Sequence, residues 1–282
     1  MTIGPLGIVL LVGMLSYRYE PEESLLAHQQ WRYRHFVIVW CVFTASQFVG
    51  VPPSVMRWPE WAWTVSYAFT GAVIIVSVWG AVRWNQPSVW RAVGFDRSTA
   101  LLNIVWALRI ALGVASVGVV FGLLAKPRTP IAIDEALGVR NHPAAFAARC
   151  GVQAVLIPFA EELLFRGFAY QPLLRKLGPL GATIGSALLW GAVHYIGPSH
   201  TRIARLVAVC VVGVIYAEVY RRRQSLFPTV TFHVVFNAVG VLISFTDAST
   251  LVPTTAVLVG LWVISLVLFR LSNRARAVEV PK

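Results

Sequence analysis

The sequence has few charged residues for its length. Only 13% of its 282 residues are Asp, Glu, Lys or Arg, whereas an ordinary soluble domain carries about 25%. Hydrophobic residues make up 57% of the chain, and several apolar runs approach the roughly twenty residues that a helix needs to span a bilayer. This composition excludes an ordinary soluble fold, a disordered chain, a collagen and a secreted disulfide scaffold.

Cysteine is also scarce, and its spacing provides no metal or redox motif. Cys41, Cys150 and Cys210 lie inside or at the ends of apolar runs and form no CxxC pair, so we interpret them as small buried hydrophobic residues. The sequence also lacks GxSxG, HExxH and a glycine-rich phosphate loop. These motifs are typical of serine hydrolases, zinc proteases and nucleotide-binding proteins.

Positive charge is in excess, with 24 Lys and Arg against 12 Asp and Glu. Basic cytoplasmic loops explain such an excess in a polytopic membrane protein, so we expect no nucleic-acid partner. When successive loops are assigned to alternate sides, most basic residues fall on one side. The positive-inside rule then places the N-terminus outside and the C-terminus in the cytoplasm, in what we expect to be a prokaryotic plasma membrane.

Apolar runs bounded by charged residues predict an all-α, polytopic integral membrane protein with eight or nine transmembrane helices. The first two runs are short. The predicted helices cover residues 2–17, 36–51, 62–82, 100–124, 147–171, 180–196, 204–220, 225–245 and 251–270.

Three of these helices carry polar residues where lipid is expected. A charged side chain deep in a bilayer costs about 2.5–3.5 kcal/mol on insertion scales, so each one needs a reason. The residues are Glu161, Glu162 and Arg166 in the first helix, His194 in the second, and His233 with Asn237 in the third. Glu162 and Arg166 are four residues apart, a spacing that predicts a salt bridge and leaves Glu161 on another side of the helix.

The other polar residues are predicted to lie at a similar depth. A rise of about 1.5 Å per residue from the cytoplasmic boundary places Glu161, His194 and Asn237 about 21–22 Å deep and His233 about 15 Å deep. Two imidazoles and a carboxylate can hold a divalent metal with an open position for water, or the carboxylate and one imidazole can activate water directly. The remaining imidazole and the amide could then donate hydrogen bonds to an oxyanion. Either arrangement suits amide hydrolysis.

The order of these motifs carries a family resemblance. The chain resembles the CPBP family of intramembrane proteases, which includes the type II CAAX prenyl endopeptidases and bacteriocin-processing or self-immunity proteins. The resemblance covers roughly residues 145–245, and the sequence departs from it at Trp190, where the family commonly has Phe. The matching motifs are Glu161-Glu162-x-x-x-Arg166, an aromatic-x-x-x-His ending at His194, His233-x-x-x-Asn237, Phe165-Arg166-Gly167 and Ser225-Leu226-Phe227-Pro228.

The resemblance implies an intramembrane endopeptidase that hydrolyses a peptide bond of a membrane-associated or lipidated protein or peptide. Glu161 would activate the water, with His194 as its partner or as a metal ligand. His233 and Asn237 would complete the metal site or stabilise the oxyanion. The resemblance also divides the chain into N-terminal transmembrane helices of unknown role (1–130), a catalytic helical core (131–250), and a final transmembrane helix with a basic cytoplasmic tail (251–282).

Several alternatives stay open at this point. We favour a metalloprotease, with Zn2+ or another divalent metal held by Glu161, His194 and His233, over a metal-independent glutamate protease. Glu162 and Arg166 match the second carboxylate and the arginine of the family motif and are assigned supporting roles. A non-catalytic scaffold or immunity protein of the same fold is the alternative function, followed by a proton-coupled transporter, which usually shows broken helices in two repeated halves. The sequence gives neither the substrate nor the oligomeric state.

Overall fold

The computed structural model describes residues 31–50, 60–124, 143–194, 199–244, 256–267 and 270. Within these ranges all regular secondary structure is helical, which confirms the predicted all-α class. A short 3-10 turn, Arg97–Thr99, precedes the fourth helix. The helices are α1 (Tyr33–Gly50), α2 (Glu60–Arg83), α3 (Val89–Ala92), α4 (Ala100–Leu124), α5 (Pro143–Cys150), α6 (Ile157–Glu162), α7 (Tyr170–Val193), α8 (Ser199–Arg223), α9 (Leu226–Ser244) and α10 (Ala256–Val267).

The predicted helices agree closely with the observed ones where they can be compared. Five predicted helices coincide within a few residues with α1, α2, α4, α8 and α9, and α10 lies inside the predicted helix 251–270. The predicted helix 2–17 and the predicted domain boundaries near 130 and 250 lie outside the described residues.

The number of membrane spans stays a prediction. Within the described ranges, two helical segments are long and apolar enough to cross a bilayer, Thr64–Arg83 and Arg97–Val117. Three shorter helical segments are also apolar, namely Arg34–Ser46, Leu226–Val241 and Ala256–Val267. These helices are consistent with a polytopic membrane protein, but they do not establish eight or nine spans.

The helix predicted at 147–171 is longer and less regular than its apolar run suggests. Two π-helical segments, Gly151–Leu156 and Leu163–Ala169, flank α6 and continue into α7. The helix breaks at Gly178, where φ is 71° and ψ is 179°, a conformation that glycine adopts without steric cost. Pro179 follows directly and starts the next helical segment. The sequence predicts that one helix ends at 171 and the next begins at 180. The observed break at Gly178 lies within this interval, near its C-terminal end.

The stretch made of residues 151–169, named the central helix below, packs against helices from both halves of the chain. α2 and α9 both contact α6 and the π-helical segments beside it, while α4 packs along α9. One hydrophobic core contains residues from Trp31 to Phe232. The helices before residue 125 therefore share a core with the helices that carry the polar residues.

Small residues bring α7 and α8 into close contact. A Cβ atom on Gly191 would clash with the Sγ atom of Cys210, and one on Gly213 would lie 3.0 Å from the Cα atom of Ala187. Such close approach is typical of small residues at the interfaces of membrane helices. The contact fixes the end of α7, which precedes His194.

Gly213→Ala tests this contact. The added methyl group would meet Ala187 at 3.0 Å and the Trp190 ring at 3.1 Å, so we expect the free energy of unfolding to fall by about 1–3 kcal/mol. Gly240→Ala is the matched control, because a Cβ atom there meets nothing within 4 Å. Thermal unfolding in detergent should show a lower midpoint for Gly213→Ala only. Equal midpoints for the two variants would contradict the close packing.

Candidate active site

Glu161 lies near the end of α6, where its carboxylate meets side chains from two other helical segments. The Nε1 atom of Trp190 donates a 2.6 Å hydrogen bond to Oε2 of Glu161. The Nε2 atoms of His194 and His233 lie 4.0 and 3.9 Å from the same oxygen. These two separations are too long for direct hydrogen bonds, and a water molecule can bridge groups at such separations.

His194 is held in place by the backbone of α7. It follows the last residue of this helix, and its Nδ1 atom lies 2.8 Å from the carbonyl oxygen of Trp190. Because a carbonyl oxygen only accepts, we assign the Nδ1 proton to this bond. The Nε2 atom of the neutral imidazole is then an acceptor on the side of Glu161. Trp190 therefore orients both groups, Glu161 through its indole N–H and His194 through its carbonyl.

Glu162 orients the second imidazole. The Nδ1 atom of His233 lies 3.1 Å from Oε1 of Glu162, and Nη1 of Arg166 donates to the same oxygen at 3.0 Å. A carboxylate accepts, so His233 donates through Nδ1 and presents Nε2 toward Glu161. The salt bridge expected from the four-residue spacing of Glu162 and Arg166 is present.

Arg166 is fully buried, and several groups stabilise its charge. Its Nη2 atom donates a 3.1 Å hydrogen bond to the carbonyl oxygen of Gly213. Its guanidinium carbon lies 4.8 Å from the centre of the Trp190 ring and 5.5 Å from that of Tyr216, distances that allow cation–π attraction. Arg166 therefore links the central helix to α7 and α8 as well as neutralising Glu162.

The π-helical segments widen the backbone on both sides of α6, and side chains from elsewhere in the chain donate to carbonyl oxygens of the second segment. Ser186 donates to the oxygen of Phe165 at 3.1 Å, and Trp31 donates to that of Phe168 at 3.1 Å. A carbonyl oxygen buried among side chains needs such partners because water does not reach it there. π-Helical turns are frequent at functional sites, and here they flank Glu161 and Glu162, while the second segment contains Arg166.

Asn237 makes a contact of the same kind. It lies one turn after His233 on α9, and its Nδ2 atom donates a 2.9 Å hydrogen bond to the carbonyl oxygen of Gln153. The structure thus brings Glu161, His194 and His233 together, while the amide nitrogen of Asn237 is engaged with the backbone of the central helix. A direct role of Asn237 at an oxyanion or a metal stays a prediction.

Glu161, His194 and His233 have the donor atoms for a divalent metal but not the spacing. Donors that share one tetrahedral zinc ion lie about 3.3 Å apart, whereas the imidazole nitrogens lie 3.9 and 4.0 Å from Oε2 of Glu161. That oxygen also accepts the indole N–H of Trp190. No group of three or more His, Cys, Asp and Glu within the described ranges is arranged to hold a metal ion. The metal stays a prediction, and we derive no chemical step through it.

Reasoning from the sequence missed contacts that involve backbone atoms or aromatic rings. The sequence does not indicate that Trp190 contacts Glu161, and Gly213 and Tyr216 of α8 lie in an apolar run that carries no polar signal. Gln153 was also missed, although it is a polar residue in an apolar run. Gln153 precedes Pro158 by five residues, and this spacing can be read directly from the sequence.

The comparison with known families agrees with the motif analysis. Residues 143–239 match the family model described as Type II CAAX prenyl endopeptidase Rce1-like. The match covers about a third of the chain and contains all six predicted site residues. It confirms the recognition of the CPBP and CAAX protease family over this segment, and the members of this family are integral membrane proteins. Neither the curated proteins nor the solved structures give a significant match to the chain.

Glu162→Gln tests the buried salt bridge. The variant leaves the fully buried Arg166 without its charged partner, so we expect the free energy of unfolding to fall by about 3–5 kcal/mol. Glu218→Gln is the matched control, because Glu218 pairs with Arg221 and Arg222 at a partly exposed helix end. Loss of a partly exposed pair costs about 0–1 kcal/mol. Chemical denaturation in detergent should separate the two variants, and similar losses would contradict the role of burial.

Proposed function

We propose that the chain is an intramembrane endopeptidase that hydrolyses a peptide bond of a membrane-associated or lipidated protein or peptide. The observation that carries the proposal is the convergence of two imidazoles, from two helices, on the carboxylate of Glu161. This arrangement lies within the segment that matches the protease family. We further propose a prokaryotic plasma membrane as its location, with the N-terminus outside and the C-terminus in the cytoplasm. The uneven distribution of basic residues among the loops supports this orientation.

Glu161 is the general base of the proposed reaction. A water molecule between the three groups donates one hydrogen bond to Glu161 and the other to Nε2 of His194, which leaves an oxygen lone pair for attack on the substrate carbonyl carbon. Glu161 takes the proton of this water as the new carbon–oxygen bond forms. It then passes the proton to the departing amine nitrogen as the carbon–nitrogen bond breaks. One water molecule is consumed, and the products are a carboxylic acid and an amine, which become a carboxylate and an ammonium when the acid proton passes to the amine.

His233 stabilises the oxyanion in this mechanism. This role requires the imidazolium form of His233, which has two donors: Nδ1 keeps its hydrogen bond to Glu162 while Nε2 donates to the oxyanion. Glu162 and Arg166 support this step by holding the ring from a buried position. We assign Asn237 no step in this mechanism; one N–H of its amide donates to the backbone of Gln153.

The side chains of the site are only partly buried on one side. The side chains of His194 and Glu161 are 24% and 14% exposed, whereas that of His233 is 6% exposed and those of Glu162 and Arg166 are fully buried. Water and a peptide segment can therefore approach from the side of His194 and Glu161. The supporting ion pair lies behind them, away from solvent.

Glu161→Gln tests the function directly. We expect the amide to keep the side-chain shape but to abolish proton abstraction, which lowers kcat by at least about 100-fold. The measurement is cleavage of a farnesylated peptide with a CAAX terminus in proteoliposomes, beside the same peptide without the lipid, followed by mass spectrometry. Glu218→Gln serves as the control and should cleave like the wild type. Full activity of Glu161→Gln would contradict a catalytic carboxylate, whereas a wild type that cleaves neither peptide would favour the scaffold or transporter alternative.

The metal predicted from the sequence needs a separate test. If Glu161, His194 and His233 hold zinc, elemental analysis should find about one zinc per chain in the wild type and a loss in both His194→Ala and His233→Ala. If all three proteins are free of metal after chelator-free purification and added zinc, the metalloprotease prediction fails. The carboxylate mechanism described above would then stand without a metal.

A further inference from the structure

The carbonyl oxygen of Gln153 has lost its helical donor. In the π-helical segment before α6, the backbone N–H of Ile157 donates to the oxygen of Val152, five residues earlier. The same register pairs the oxygen of Gln153 with residue 158. Residue 158 is a proline, and proline has no backbone N–H to donate. The oxygen of Gln153 therefore requires a donor from outside its own helix.

Asn237 supplies that donor. Its Nδ2 atom donates to the oxygen of Gln153 at 2.9 Å, across the contact between α9 and the π-helical segment. Pro158 lies three residues before Glu161 on one side of this contact, and His233 lies one helical turn before Asn237 on the other side. The hydrogen bond therefore joins the backbone that carries Glu161 to the helix that carries His233.

We propose that Asn237 is a positioning residue that acts by replacing the hydrogen bond lost at Pro158. It fixes the register of α9 along the central helix, so that His233 lies 3.1 Å from Glu162 and 3.9 Å from Glu161. Its effect on cleavage rests on the proposed endopeptidase function, whereas the replacement of the hydrogen bond does not. The role differs from a direct contact with the oxyanion or a metal, which the family resemblance implied.

The two roles of Asn237 make opposite predictions for one substitution. Pro158→Ala restores a backbone N–H at the position that pairs with Gln153 in the π register. If Asn237 acts through that carbonyl oxygen, the new N–H makes its amide dispensable. If Asn237 donates to the oxyanion or binds a metal, a new backbone N–H on the central helix cannot replace it.

The experiment is a double-mutant cycle of Pro158→Ala and Asn237→Leu in the full-length protein. Hydrogen–deuterium exchange of residues 151–162 reports the backbone, and kcat and KM for the farnesylated peptide report the chemistry. We expect Asn237→Leu to raise exchange in this segment and to lower kcat by about 10–100-fold with KM little changed. Pro158→Ala alone should retain wild-type cleavage, and the double variant should regain protection and most of kcat. Rates are compared below the unfolding midpoint of every variant, so that a general loss of stability is not read as a catalytic effect.

A double variant as impaired as Asn237→Leu, in both exchange and kcat, would overturn the proposal. If Asn237→Leu does not fold, recovery of folded protein in the double variant supports the proposal, and failure there while Pro158→Ala folds overturns it. If the wild type cleaves no peptide, the proposed function fails, and the exchange cycle alone decides the role of Asn237.

Discussion

The buried pair of Glu162 and Arg166 is the interaction on which the site depends. Two unpaired charges in a membrane interior would be too costly to keep, but this pair is also bound to its surroundings on several sides. Glu162 holds the Nδ1 atom of His233, and Arg166 donates to the carbonyl oxygen of Gly213. The pair thereby joins the central helix to α8 and α9. Glu162 points to the buried side of the helix, so the adjacent Glu161 points elsewhere and lies beside the partly exposed His194.

The position of His194 depends on the shape of the backbone. The break at Gly178 allows the segment after it to pack beside the central helix, and Gly191 and Gly213 allow α7 and α8 to approach closely. Trp190 then reaches Glu161 with its indole N–H and His194 with its carbonyl. The N-terminal part of the chain also contributes, because Trp31 is fully buried and donates to the oxygen of Phe168 beside Arg166.

Features that depend on spacing along one helix were predictable from the sequence, and features that depend on contacts between helices were not. Apolar runs gave the positions of most helices, and the four-residue spacing gave the pair of Glu162 and Arg166. The convergence of Glu161, His194 and His233 was suggested by their depth, which is a one-dimensional measure. Depth along each helix could not show that Asn237 donates to a backbone oxygen, since that contact depends on a π-helical register. The missing N–H of Pro158 was the only sequence signal for that contact.

The central claim is that Glu161 activates a water molecule that attacks the peptide bond directly. Single-turnover cleavage of the farnesylated peptide in 18O-labelled water tests it, with mass spectrometry of both the released fragments and the Glu161 carboxylate. Direct attack predicts one 18O atom in the new carboxylate of the product at the first turnover and none in Glu161. An unlabelled product together with labelled Glu161 would show that the carboxylate itself attacks, and the absence of any cleavage would contradict the proposed activity.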